Sequence, residues 1–199
     1  MRIIFSTNNN GKLNELREIL KNRTILSLKD VGVDINPNET GKSYEENALI
    51  KAMALKDAML KLNIYQKDDI IIADDSGLSV DYLDGAPGIY SARFGNFGDD
   101  STKKCNYLLN IMKDVKKENR KAKFVCVICV IINEDIRYFR GEMEGEIAFV
   151  MSGQSGFGYD PVFIPKAYDK TVAELSFEEK NKISHRAIAI QNMIDYSII

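Results

Sequence analysis

Hydrophobic and polar positions alternate along this chain in blocks that predict strands and helices in turn. A short apolar strand, Arg2 to Ser6, gives way to polar TNNNG. Leu13, Leu16 and Leu20 then form one stripe of a helix from about Lys12 to Lys21. A second short strand, near Thr24 to Leu28, precedes a loop rich in Asn, Pro and Gly that extends to Gly41. Ser43-Tyr-Glu-Glu46 reads as a capping box, and the helix it opens keeps Ala48, Ala52, Leu55, Met59 and Leu62 on one face. DDIIIADDSG predicts a buried strand from Asp69 to Ala73 that ends abruptly in two carboxylates, with Ser76-Gly77 turning the chain. Turn signals at Asp84-Gly85 and Pro87-Gly88 mark a hairpin or short strand, followed by a helix from about Asp100 to Lys117. Two long strands come next, Lys121 to Ile132 and Ile136 to Val150, joined by a turn containing Asn133, Glu134 and Asp135. The last quarter holds a glycine-rich loop, MSGQSGFGYDP, a short strand VFI, and two helices divided near Ile183. Early strand–helix alternation with a late antiparallel pair predicts an α/β fold: a mixed twisted sheet flanked by helices, with two lobes and a central active-site cleft. No repeat or linker interrupts the chain, so residues 1–199 read as one domain.

Composition narrows the classes. At 199 residues and 45% hydrophobic, the chain can bury a sizeable core. A net charge of −2 argues against coating nucleic acid through bulk electrostatics. The longest apolar run, Phe124 to Ile132, falls far short of the ~20 residues of a membrane helix. The N-terminus turns polar after Phe5, unlike a signal peptide. A soluble cytoplasmic protein is expected, with no nucleic-acid or membrane partner. Cys126 and Cys129 form a C-x-x-C inside a β-branched strand, where an offset of three puts the thiols on opposite faces, as core residues rather than a redox or zinc pair. The single histidine, His185, rules out a multi-histidine zinc site, and no G-x-S-x-G elbow is present.

Three constellations carry candidate chemistry. TNNNGK lies at a strand-to-helix junction, where unpaired N–H groups bind anions. Lys12 opposes the helix dipole there unless an anion such as phosphate faces it. Asp74-Asp75 ends a buried strand; adjacent strand residues point opposite ways, and two close carboxylates favour a hard cation such as Mg²⁺. The loop GFGYDP, with Lys180 and Ser184-His185-Arg186, combines glycines, aromatics and hydrogen-bonding groups suited to a flat heteroaromatic ligand. Asn36-Pro-Asn-Glu-Thr-Gly41-Lys42-Ser43 matches a P-loop except at its first glycine, which makes a P-loop NTPase the alternative. Pro37 removes an N–H from that cradle and Glu39 would set a negative charge beside phosphate.

In order along the chain stand Thr7-Asn-Asn-Asn-Gly-Lys12, Glu39-Thr-Gly41, Glu46-Asn-Ala48 with Lys51, Ala73-Asp-Asp-Ser-Gly-Leu78, Gly85-Ala-Pro-Gly-Ile-Tyr-Ser-Ala-Arg93, Gly156-Phe-Gly-Tyr-Asp-Pro161 and Ser184-His-Arg186. Together they resemble the bacterial branch of the inosine/xanthosine triphosphate pyrophosphatase family. Asn8 departs from that pattern, since many members carry glycine there. The resemblance implies Mg²⁺-dependent hydrolysis of ITP, dITP and XTP to nucleoside monophosphate and pyrophosphate, cleansing the nucleotide pool, by a homodimer. It implies that Thr7, Asn9 and Lys12 hold phosphates, with Asn8, Asn10 and Gly11 in the same binding segment. Glu39 and Asp75 would bind Mg²⁺, with Asp75 accepting a proton from the attacking water or orienting it. Asp74 would assist through water, Ser76 and Lys180 would contact the substrate, and Lys51 would support the phosphates. Phe157 would stack on the base, in a loop with Gly158 and Tyr159, while Asp160, His185 and Arg186 read its edge. A desolvated Arg186 donor aimed at the 6-oxygen would favour hypoxanthine over adenine.

Overall fold

A computed structural model describes residues 2–196. Six strands form one mixed sheet: β1 (Ile3–Phe5), β2 (Ile25–Ser27), β3 (Ile70–Val80), β4 (Lys121–Ile132), β5 (Asp135–Ile147) and β6 (Phe163–Pro165), in the order β2-β1-β3-β4-β5-β6. β1 is parallel to β2 and to β3, while β5 and β6 run antiparallel. Five α-helices are described: α1 (Asn10–Ile19), α2 (Tyr44–Lys61), α3 (Ser101–Ile111), α4 (Phe177–Ile183) and α5 (His185–Asp195). The α/β class with a mixed sheet is as expected, and none of these helices is long and apolar enough to cross a membrane.

Contacts divide the chain into two compact units, each discontinuous in sequence. The first holds residues up to Asp75, Cys126–Gly141 and those from Arg186 on; the second holds Ser76–Val125 and Glu142–His185. In the first unit both faces of the sheet are covered, so its strands read as unbroken apolar runs. Ile70 and Ile72 of β3 pack with Leu13 and Leu16 of α1 and Ile190 and Met193 of α5. Ile71 and Ala73, one residue out of phase, pack with Ala48, Ala52, Leu55 and Met59 of α2. Cys126 and Cys129 of β4 fall on these opposite faces as expected, and burial pushes both thiols up to about 12. The second unit has one core, in which Leu78, Leu108, Phe124 and Phe163 meet.

Several boundaries differ from the expectation. α1 begins two residues early because Asn9 caps it, its side chain accepting from the Lys12 N–H at 3.1 Å. Ser43 caps α2 as foreseen, but the Glu46 carboxylate accepts from the N–H of Lys42 rather than of Ser43. Leu62 is the C-cap of α2 and stays 53% exposed. α3 ends at Ile111, well short of Lys117.

The strand read as stopping at Ala73 continues through Asp74 and Asp75 to Val80. Gly77 is therefore not a turn residue. A Cβ there would lie 2.1 Å from the carbonyl oxygen of Gly88, so glycine admits the segment that packs across β3.

Candidate active site

The unbroken strand decides the fate of its two carboxylates. Side chains alternate across a strand, so Asp74 shares the face of Ile70 and Ile72, and Asp75 that of Ile71 and Ala73. Both are buried, and each meets its own cations.

On the α1 and α5 side, the Lys12 ammonium lies 3.1 and 3.0 Å from the two oxygens of Asp74. The anion that Lys12 needs at a helix N-terminus is thus present within the chain. Arg186, at the start of α5, donates from Nη2 to Asp74 at 2.9 Å and from Nη1 to Glu15 of α1. Arg186 and Glu15 are almost fully buried, and Cys126 Sγ lies 3.8 Å from Asp74. Burial disfavours the charge of Asp74, but Lys12, Arg186 and Lys51 overcome it and hold its carboxyl well below the usual carboxylate range. Arg186, desolvated but facing Asp74 and Glu15, is held above its ordinary value.

On the α2 side, one ammonium joins two carboxylates from separate stretches. Lys51 Nζ lies 2.7 Å from Glu39 Oε1 and 3.0 Å from Asp75 Oδ1. Asn47, one helical turn before Lys51, donates to Asp75 at 3.2 Å and accepts from the Gly41 N–H at 2.9 Å. That amide ties the Glu39-Thr-Gly41 segment to the acid of β3. Desolvation raises the Asp75 carboxyl above its ordinary value, against the pull of Lys51 and Lys12. Lys51 is held above the usual lysine value, because Asp75, Asp74 and Glu39 outweigh its burial.

The anion-binding segment completes this unit. Thr7 Oγ1 accepts from the Asn9 N–H at 3.2 Å, while Asn10 and Gly11 form the first turn of α1. The Asn8 amide turns to the carbonyl of Ile35 at 2.9 Å. Among the described residues, no three His, Cys, Asp or Glu side chains converge as a metal group. Glu39 and Asp75 nevertheless fit a hard cation: two carboxylate oxygens already gather round one positive charge, and Mg²⁺ typically takes one or two carboxylates plus phosphate oxygens and water. The P-loop alternative lacks its structural context. Asn36–Ser43 follows no strand, and Ser43 and Gly41 are engaged in capping α2 and in the Asn47 hydrogen bond.

The second unit carries the other expected residues. Asp160, buried, accepts from the Phe157 N–H at 2.8 Å and from Lys180 Nζ at 2.7 Å. That ammonium also lies 4.4 Å from the centre of the Phe157 ring. Gly156 has φ +79°, and a Cβ there would stand 2.1 Å from Asp160 Oδ2, so the loop closes on its acid only with glycine. The Tyr159 hydroxyl donates to the Ser91 carbonyl at 3.0 Å, and its ring belongs to the core. Cys105 Sγ lies 3.4 Å from the Gly158 carbonyl. His185 stacks on Phe124 with centroids 4.9 Å apart. Ser76, half-buried, lies within β3. Arg186, expected at the edge of a base, donates to Asp74 and Glu15.

Glu15 was not singled out from the sequence, and Asn47 stood in the Glu46-Asn-Ala48 segment without a role. The spacing contained a signal: Asn47 stands four residues before Lys51, and Glu15 three after Lys12, each on the helix face of a lysine that matters.

A model of the Ham1 family matches residues 3–196. The chain belongs to the Ham1 family. The dITP/XTP pyrophosphatase of Clostridium perfringens is 46% identical over 198 residues, covering 98% of this chain and 96% of the relative. The dITP/XTP pyrophosphatase of Bacillus subtilis is 44% identical over 193 residues, covering 96% and 93%. The solved structure of the Staphylococcus aureus Ham1 protein aligns with a TM-score of 0.84 at 37% identity, covering 99% of this chain and 98% of that one.

Proposed function

We propose that this chain hydrolyses the non-standard purine nucleoside triphosphates ITP, dITP and XTP to nucleoside monophosphate and pyrophosphate, with Mg²⁺, in the cytoplasm and as a homodimer. The observation that carries the reading is the meeting of Glu39 and Asp75 at a single cation, in a chain 44–46% identical to dITP/XTP pyrophosphatases. Glu39 and Asp75 would hold the metal. Once bound, Mg²⁺ neutralises phosphate charge and lowers the pKa of bound water. Asp75 accepts a proton from the attacking water or orients it. Thr7, Asn9 and Lys12 receive phosphates at the N-terminus of α1, and Lys12 exchanges Asp74 for them. Asn8, Asn10 and Gly11 complete that segment, and Lys51 supports the phosphates.

For the base, Phe157 provides a stacking ring, and Asp160, Lys180 and His185 provide hydrogen-bonding groups, with Ser76, Gly158 and Tyr159 shaping the contact. Arg186 acts by fixing Asp74 against Glu15, and the ITP:ATP ratio of Arg186→Ala separates this from base reading. A nucleotide panel assayed with Mg²⁺ tests the function. Pyrophosphate release from ITP and XTP, with little from ATP, is expected. Orthophosphate as the product would overturn this reading.

A further inference from the structure

The ammonium of Lys51 stands where the proposed metal ligands meet. Its Nζ is 2.7 Å from Glu39 and 3.0 Å from Asp75. Mg²⁺ binds carboxylate oxygens at about 2.0–2.1 Å in a near-octahedral shell. An ammonium and a divalent ion cannot share the same two oxygens at contact, because their charges repel at a few ångströms. A metal seated on those two oxygens therefore disfavours the ammonium there.

The chain around Lys51 limits where it can go. The Lys51 carbonyl accepts from Ser6 Oγ at 2.9 Å, which pins this turn of α2 beside the start of the Thr7–Lys12 segment. The Lys51 and Asp75 side chains are mostly buried, so an ammonium driven off the acids without a new partner would be left desolvated. Phosphate oxygens delivered to the Thr7–Lys12 segment are acceptors of the right charge.

We propose that Lys51 is an exchangeable internal cation: it occupies the Glu39–Asp75 pair in the free protein, excludes a divalent ion from it, and moves to phosphate oxygens when metal and nucleotide bind together. This inference rests on the proposed function and deepens it. Free metal binds weakly because it must displace a buried ammonium, and nucleotide strengthens metal binding by giving that ammonium a destination. Coupling of this kind is reciprocal, so metal strengthens nucleotide binding equally.

The test uses Mn²⁺ as probe, titrated into nucleotide-free protein and followed by the electron paramagnetic resonance of the free ion. Lys51→Gln and Lys51→Met are expected to bind Mn²⁺ at least about tenfold more tightly than wild type, within the usual range for coupled sites. Lys51→Arg, which keeps the charge, is expected to stay within about threefold of wild type. Asp75→Asn added to Lys51→Gln is expected to abolish the gain. Circular dichroism confirms folding of each variant. Wild type gives an independent readout: the ¹³Cε signal of Lys51 should shift with Mg²⁺ and α,β-methylene-ITP together, and hold with Mg²⁺ alone at the same concentration. Equal or weaker Mn²⁺ binding by the Gln and Met variants, a gain that survives Asp75→Asn, or an unmoved Lys51 signal would overturn the proposal. The titration contains no nucleotide, so it can fail while ITP hydrolysis stands, and the reverse.

Discussion

The charge clusters of the two units differ in kind. In the first, Lys12, Lys51 and Arg186 face Glu15, Glu39, Asp74 and Asp75, three cations against four carboxylates. Partners there are shared: Asp74 serves two cations and Lys51 two acids. In the second, Asp160 and Lys180 form a buried pair beside the Phe157 ring, locked by a backbone N–H and a glycine. A shared network can exchange one ion for another with little rearrangement, which suits a polyanion and its metal. A single pair under an aromatic ring is rigid and suits a flat ligand.

The sharpest way to break this contrast is Asp75→Asn. Loss of the shared acid should lower pyrophosphate release by about 10³-fold or more while the protein stays folded. Activity within tenfold of wild type would remove Asp75 from the chemistry. Arg186→Ala comes next, since it takes the guanidinium from buried Glu15 and one of two cations from buried Asp74. A stability loss of about 3–5 kcal/mol in urea unfolding is expected, with the ITP:ATP ratio preserved if Arg186 acts through Asp74. A collapse of that ratio would return Arg186 to base reading.

Phe157→Ala sharpens the other side. Losing one stacking surface, about 1–3 kcal/mol, should raise KM for ITP by about tenfold or more while kcat holds, because the residues proposed to bind phosphate are untouched. A kcat loss equal to that of Asp75→Asn would erase the division of labour. The smallest effect is expected at the thiols. With Cys105, Cys126 and Cys129 buried and pushed up to about 12, iodoacetamide at pH 8 should label none of them in the native protein. Rapid labelling of Cys126, on the face of Asp74, would show that this side of the network opens.

Much of the frame was legible because periodicity reports burial directly. Ala48, Ala52, Leu55 and Met59 lie on one buried face of α2, and the span of β4 is the one its apolar run implies. Opposite faces for Cys126 and Cys129 followed from strand alternation alone. Ser76-Gly77 misled, because glycine marks both turns and close backbone approach, and only the position of Gly88 distinguishes them. Of the candidate site, Lys12, Glu39, Lys51, Asp74 and Asp75 were all named from sequence and do gather in the first unit. Their pairing was not legible. Two adjacent acids read as one repelling pair until the continuous strand sends them to opposite faces.

The sequence alone determined which residues could carry charge, cap helices or fill the core, because those properties belong to the side chains and their local spacing. It also carried the order of motifs that marks the family. Only the tertiary structure decided which opposite charges meet: Lys12 with Asp74, Lys51 with Glu39 and Asp75, Arg186 with Glu15. Burial makes each of those choices strong, and burial of a charge depends on what packs around it from distant parts of the chain.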